Sequence, residues 1–278
     1  MPGDDEYEEP RAPRRMTFLG AAMWSFALGL VSALLRQMTD SARPGAGADL
    51  VNITACMVLS FSVFLFLIVR FYTPRGSIRD VLGIRPVSLL AGLLALATGL
   101  LLAPGLTIVD DVMAQRFPLS SEETEFLAKI LDVSSRGQRI VFFASGALVI
   151  PLCDELFFRG VIFRGLRRGR AEGIAVIGTA LLYALSRGTD LRSLPSGLVL
   201  GLLASWLRGR SGSIVPAILA NVGLMSATFF PILQGKNDVD VGARIAIGGV
   251  IAAALCAWGA ALVFMRSERA EEGRLMDA

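Results

Sequence analysis

An all-α, polytopic membrane bundle of about eight transmembrane helices, with both termini cytoplasmic, is the fold class this sequence predicts. Three observations lead there. The chain is 54% hydrophobic and only 18% charged, with a mean hydropathy of +0.60, whereas soluble domains carry about a quarter charged residues. Its apolar residues fall in runs close to the roughly 20 residues that a helix needs to cross a bilayer. Its arginines are distributed unequally between the loops on alternate sides of those runs.

Taken in order, residues 1–15 are acidic and then basic, with prolines at 2, 10 and 13, a composition too polar to fold by burial and expected to be a disordered cytoplasmic tail. Apolar runs follow at approximately 17–36, 50–71, 86–109, 139–163, 173–187, 194–208, 212–233 and 243–265. The fifth and sixth are short and contain glycine. Between the third and fourth lies the longest connection. There Ser120 or Ser121, then Glu122, Glu123 and Glu125, precede Phe126, Leu127, Ile130 and Leu131, the signature of a capped amphipathic helix. It is expected either at the membrane interface or as a surface helix on the bundle. Gly197 and Gly201 allow close helix approach. Residues 266–278 form a second charged tail. The division expected is therefore a tail (1–15), N-terminal helices with the amphipathic connection (16–138), a second helical domain (139–265) and a tail (266–278).

An even number of spans puts both ends on one side. That side would hold Arg11, Arg14, Arg15, Arg70, Arg75, Arg79, Arg85, Arg164, Arg167, Arg168, Arg170, Arg208, Arg210, Arg266, Arg269 and Arg274, sixteen cations against ten on the other. The positive-inside rule makes it the cytoplasmic side. A bacterial inner membrane is the expected location, the bilayer is one partner, and nothing points to nucleic acid.

The fourth run contains the one charged stretch at bilayer depth, Asp154-Glu155 with Arg159 four residues on. Intramembrane ionisable groups are costly and mark function by default. Spacing of four puts Glu155 and Arg159 on one helix face, with Asp154 turned about 100° away. A buried charge network that only pins helices together is the plainer reading. Cys56, Cys153 and Cys256 sit in apolar runs and read as core residues. The sequence has no histidine, so the commonest metal ligand and the side chain that titrates nearest neutrality are both absent.

Asp154-Glu155-xxx-Arg159 with Gly160 and the basic stretch to Arg170 resembles the Glu-Glu-xxx-Arg motif of the CPBP family of CAAX prenyl proteases and bacteriocin-processing enzymes. Tyr183-Ala184-Leu185-Ser186-Arg187 is similar to its Phe-xxx-His motif, and Asn221-Val222-Gly223-Leu224-Met225 to its His-xxx-Asn motif, with a similar lead-in over 212–220. The resemblance implies an intramembrane endopeptidase. There a glutamate and a histidine activate water, a histidine and an asparagine hold the oxyanion, and a metal has also been suggested.

The chain departs from that pattern at four of six positions. Asp154 is about one methylene shorter than the family's glutamate. Arg187, a permanent cation that accepts no proton, stands for the first histidine. Asn221 stands for the second and keeps an amide donor. Met225 replaces the asparagine and donates nothing. Glu155 and Arg159 are unchanged. The expected site is an ion-paired cluster of Asp154, Glu155, Arg159 and Arg187 beside Asn221, with no cofactor, filling the space of a reactive water or metal. Arg187 has a plainer alternative, a solvated helix end beside Asp190 and Arg192. A protease scaffold with impaired chemistry is the function expected. The alternative is a non-catalytic membrane protein that binds a peptide or protein partner in the former active-site cavity. A transporter is weaker, because the two halves show no repeat of broken helices.

Overall fold

The computed structural model describes residues 15–72, 77–186, 191–235 and 243–276; residues 1–14 of the expected N-terminal tail and Arg187 lie outside them. Among the described residues the secondary structure is helical throughout, without strands. Six helices are long and apolar enough to cross a membrane: Phe18–Ala42, Leu50–Tyr72, Leu89–Arg116, Arg136–Arg167, Val215–Leu233 and Arg244–Met265. The expected fifth and sixth spans are helices too, but Glu172–Ser186 has only 15 residues. Leu194–Ser211 carries Arg208 and Arg210 in its last turn. Neither meets both criteria, so length and composition support six of the eight expected crossings.

Helix α1 (Phe18–Ala42) starts where Thr17 Oγ1 accepts from the Gly20 amide. It turns back into α2 (Leu50–Tyr72) through a short 3₁₀ turn. That turn is fixed by Asp40, whose Oδ1 accepts from the amides of Gly45 and Gly47. Asn52 Nδ2 donates across it to Thr39 Oγ1 and the Ala46 carbonyl. The short α3 (Ile78–Leu82) ends at Gly83, which takes a left-handed φ of 68°. Helix α4 (Leu89–Arg116) follows, capped by Ser88. Then comes α5 (Ser121–Leu131), where Ser120 and Glu123 exchange the two hydrogen bonds of a capping box. This is the amphipathic helix expected from sequence. None of its residues is buried by the bundle, which fits either of the two placements expected for it, at the membrane interface or on the surface of the bundle.

Helix α6 (Arg136–Arg167) is one continuous rod interrupted twice by π-helical turns, Ser145–Val149 and Leu156–Ile162. Helix α7 (Glu172–Ser186) returns beside it, and α8 (Leu194–Ser211) packs against α7. A Cβ on Gly201 would press on the Ala180 backbone, so Gly201 serves internal packing here. Helix α9 (Val215–Leu233) lies on α4, and α10 (Ala243–Met276) covers the other side of α4. The α4–α9 approach is backbone to backbone: a Cβ on Gly99 would strike the Ala220 carbonyl, and one on Gly223 would strike that of Leu96.

The core gathers on the second half of α6, where Phe157, Phe158, Ile162 and Phe163 are almost fully buried with Tyr183 and Leu200. The perimeter is equally apolar. Phe26 is 74% exposed, Phe66 66% and Leu255 67%, and in water so much greasy surface would be a liability. In hydrocarbon it is the proper exterior. One end of the bundle collects cations: Arg170 Nη1 donates to the Met16 carbonyl, Arg168 Nη1 to that of Tyr72, and Arg167 pairs with Glu172 at 3.0 Å. These arginines belong to the set that the sequence places on one face of the membrane.

Candidate functional site

Glu155 and Arg159 lie one turn apart on α6, and both are fully buried. Arg159 Nη1 donates to Glu155 Oε1 at 3.0 Å, the pairing that a spacing of four allows. Asn221, fully buried on α9, donates from Nδ2 to the same Oε1 at 2.9 Å. Arg159 uses Nη2 to reach the Gly201 carbonyl on α8 at 3.1 Å and lays its guanidinium over the Tyr183 ring on α7, 4.3 Å from the centroid. Four helices thus converge on one carboxylate–guanidinium pair. A cation against an aromatic face gains electrostatically when both are dry, and Phe158 packs edge-on against the same ring.

Local sequence explains how the helices reach so close. Glycine at 201 lets α8 close on α7 at Ala180, and glycine at 99 and 223 lets α9, the helix that carries Asn221, sink onto α4. The π-helical turn begins directly after Glu155 and contains Arg159. Turns of this kind recur where a helix must re-aim a functional side chain.

Of the positions singled out from sequence, Glu155, Arg159 and Asn221 are in direct contact. Asp154 is buried in the same turn, 7% exposed. Met225 sits one turn beyond Asn221 and lines a separate cavity of about 200 Å³ with Leu200, Leu224 and Phe229. That volume is below the ~300–1,000 Å³ of ordinary ligand pockets. Arg187 lies outside the described residues, so its expected place in the ion cluster is a matter for experiment.

Two contributions were not evident from sequence. Tyr183 enters there only as the aromatic position of the second motif, yet it carries the face on which Arg159 rests. Arg208, which looks like a cation ending a helix, is 6% exposed and donates from Nε to the Arg159 carbonyl at 3.2 Å.

The donor set does not suit a metal. Among the described residues no three His, Cys, Asp or Glu side chains gather in one place. Glu155 Oε1 already accepts from a guanidinium and an amide. A divalent ion there would sit against the positive charge of Arg159, and carboxylates without histidine or thiolate are a poor zinc site.

Removing the amide contact is expected to be costly. Asn221→Leu keeps the volume but withdraws a hydrogen bond to a buried charge, about 1.5–3 kcal/mol. Unfolding of the variant and the wild type in detergent measures the difference, and Asn221→Asp should be worse because it sets a second carboxylate against the first.

The chain is therefore a multi-pass membrane protein with a dry acid–guanidinium–amide centre at the meeting of α6, α7, α8 and α9. A family model described as type II CAAX prenyl endopeptidase Rce1-like matches residues 136–224. The matched segment contains the motif residues that build this centre, so over that stretch the chain is similar to the family its motifs resemble. Comparison with curated proteins and comparison with solved structures each give no match.

Proposed function

We propose that the chain is a CAAX-protease-type intramembrane scaffold whose hydrolytic chemistry is impaired, and which holds a membrane-associated peptide or protein through the inherited site region. The observation that carries this reading is the occupation of Glu155. Its Oε1 accepts from both Arg159 and Asn221 in a fully buried setting. General-base catalysis needs an acceptor in reach of a reacting proton. Here that oxygen is directed at two protein donors, and no histidine exists anywhere in the sequence to take the role. Asp154, buried in the same turn, and Arg187 are the further members of the proposed charge cluster. Arg187 follows Tyr183 by four residues and would bring a second guanidinium.

The membrane placement follows the charge. Six or eight crossings both leave the termini on one side, and the end where Arg15, Arg85, Arg164, Arg167 and Arg208 gather is assigned to the cytoplasm. On that assignment Glu155 lies in the cytoplasmic half of α6, in a bacterial inner membrane.

The test is proteolysis by the purified chain on prenylated and unprenylated peptides, with Glu155→Ala as control. The expected result is no cleavage above that control. Wild-type turnover that disappears in Glu155→Ala would overturn the impaired reading in favour of a working endopeptidase. A second protein combining Asp154→Glu, Arg187→His, Asn221→His and Met225→Asn is expected to gain cleavage, since it restores the proton acceptor and oxyanion donors on an aligned scaffold.

A further inference from the structure

At the end of the bundle away from α5, a pocket of about 340 Å³ opens among α3, α6 and α8, lined by Asp80, Gly83, Arg85, Phe163, Arg164, Arg167, Arg208 and Gly212. Four guanidiniums share it with the carboxylate of Asp80, and Arg167 is paired with Glu172. Two positive charges are left over. Like charges crowded in one concavity repel one another, so such an arrangement is stable only where an anion is expected.

Arg208 is the strongest sign of a built site. It is more than nine-tenths buried, and among the described residues no carboxylate ion-pairs with it. Its Nε is used on the Arg159 carbonyl; the rest of the guanidinium lies against Gly83 and faces the pocket. Gly83 makes that possible twice over: its φ of 68° suits glycine, and a Cβ there would collide with the guanidinium. The opposite wall is equally fixed. Ser213, fully buried, donates from Oγ to the Arg85 carbonyl at 2.7 Å, and the Ile214 amide donates to that of Gly83 at 3.0 Å. The arginine-bearing segments are thus held in register around the opening.

We infer that this pocket is a binding site for a phosphate-bearing anion. Planar guanidinium forks match phosphate oxygens two at a time, and basic pockets between membrane helices at the cytoplasmic side take anionic head groups. A phospholipid head group and a free phosphate share that chemistry, and experiment separates them. The site is distinct from the Glu155 centre and independent of whether the chain cleaves peptides, although Arg208 touches both.

The full chain, delipidated in neutral detergent, is titrated with inorganic phosphate, with pyrophosphate, with short-chain phosphatidylglycerol and with short-chain phosphatidylcholine. Binding is read by calorimetry and by the shift in unfolding midpoint. Saturable binding of phosphatidylglycerol alone assigns a lipid head group, and binding of phosphate or pyrophosphate as well assigns the free anion. Phosphatidylcholine is expected to bind neither saturably nor in an arginine-dependent way. Arg85→Gln with Arg164→Gln changes exposed or half-buried residues and should fold; it is expected to weaken the probe that binds by roughly tenfold or more for each arginine removed. Arg208→Lys, which keeps charge but loses the fork, should weaken it further if it folds. Absence of saturable binding by all the anionic probes overturns the proposal. So does equal binding of phosphatidylcholine, or unchanged affinity in the Arg85→Gln/Arg164→Gln protein.

Discussion

Arg159→Met is expected to destabilise the chain by about 3–5 kcal/mol, the cost of leaving one member of a buried ion pair without the other. The pair is completely dry and its members are 3.0 Å apart. The substitution also empties the contact with the Gly201 carbonyl and the face of Tyr183, so α7 and α8 both lose their tie to α6. Reversible unfolding in mixed micelles, followed by circular dichroism, gives the number. The informative partner is Glu155→Gln/Arg159→Met, which removes both charges. It should recover a large part of the loss, because a neutral amide tolerates burial far better than an uncompensated carboxylate. A single variant within about 1 kcal/mol of wild type would place the pair in the class of ion pairs that contribute little, and the centre would have to be held by packing alone.

The second large effect is expected at Gly99→Val, about 3 kcal/mol, the upper part of the range for overpacking. Most overpacked cores relax by a rotamer change, but here the added carbon meets the carbonyl of Ala220, and backbone inside a helix has nowhere to turn. The helices must separate, and Asn221 is the residue next to the collision. Gly99→Val should therefore behave like Asn221→Leu at the centre while also loosening α4 from α9. Crosslinking between cysteines placed on α4 and α9 reports that separation, alongside the unfolding midpoint.

The Glu155–Arg159 contact was legible in the sequence because helical periodicity leaves little freedom to two residues four apart. Asn221 was legible only through motif resemblance, since nothing local to α9 says which of its faces meets α6. Arg208 was hidden for a physical reason. An arginine at the end of an apolar run normally snorkels to water, and its burial depends on Gly83, 125 positions earlier, having no side chain. Tyr183 was hidden because an aromatic residue in an apolar helix has the same pattern whether or not a cation rests on it. The helix positions followed from hydropathy. The number of crossings followed for six of the eight runs, because α7 is shorter than a span and α8 carries Arg208 and Arg210 in its last turn.

The two π-helical turns of α6 have a consequence for how this helix tolerates change. Each accommodates about one residue beyond regular α geometry, and one residue of α-helix is worth about 100° of rotation. Deleting a single residue within 156–162 would mend the hydrogen-bond ladder yet swivel everything after it, turning Phe163, Arg164 and Arg167 away from α3 and α8 while Glu155 stayed put. The segment works as a phase shifter between two sets of neighbours.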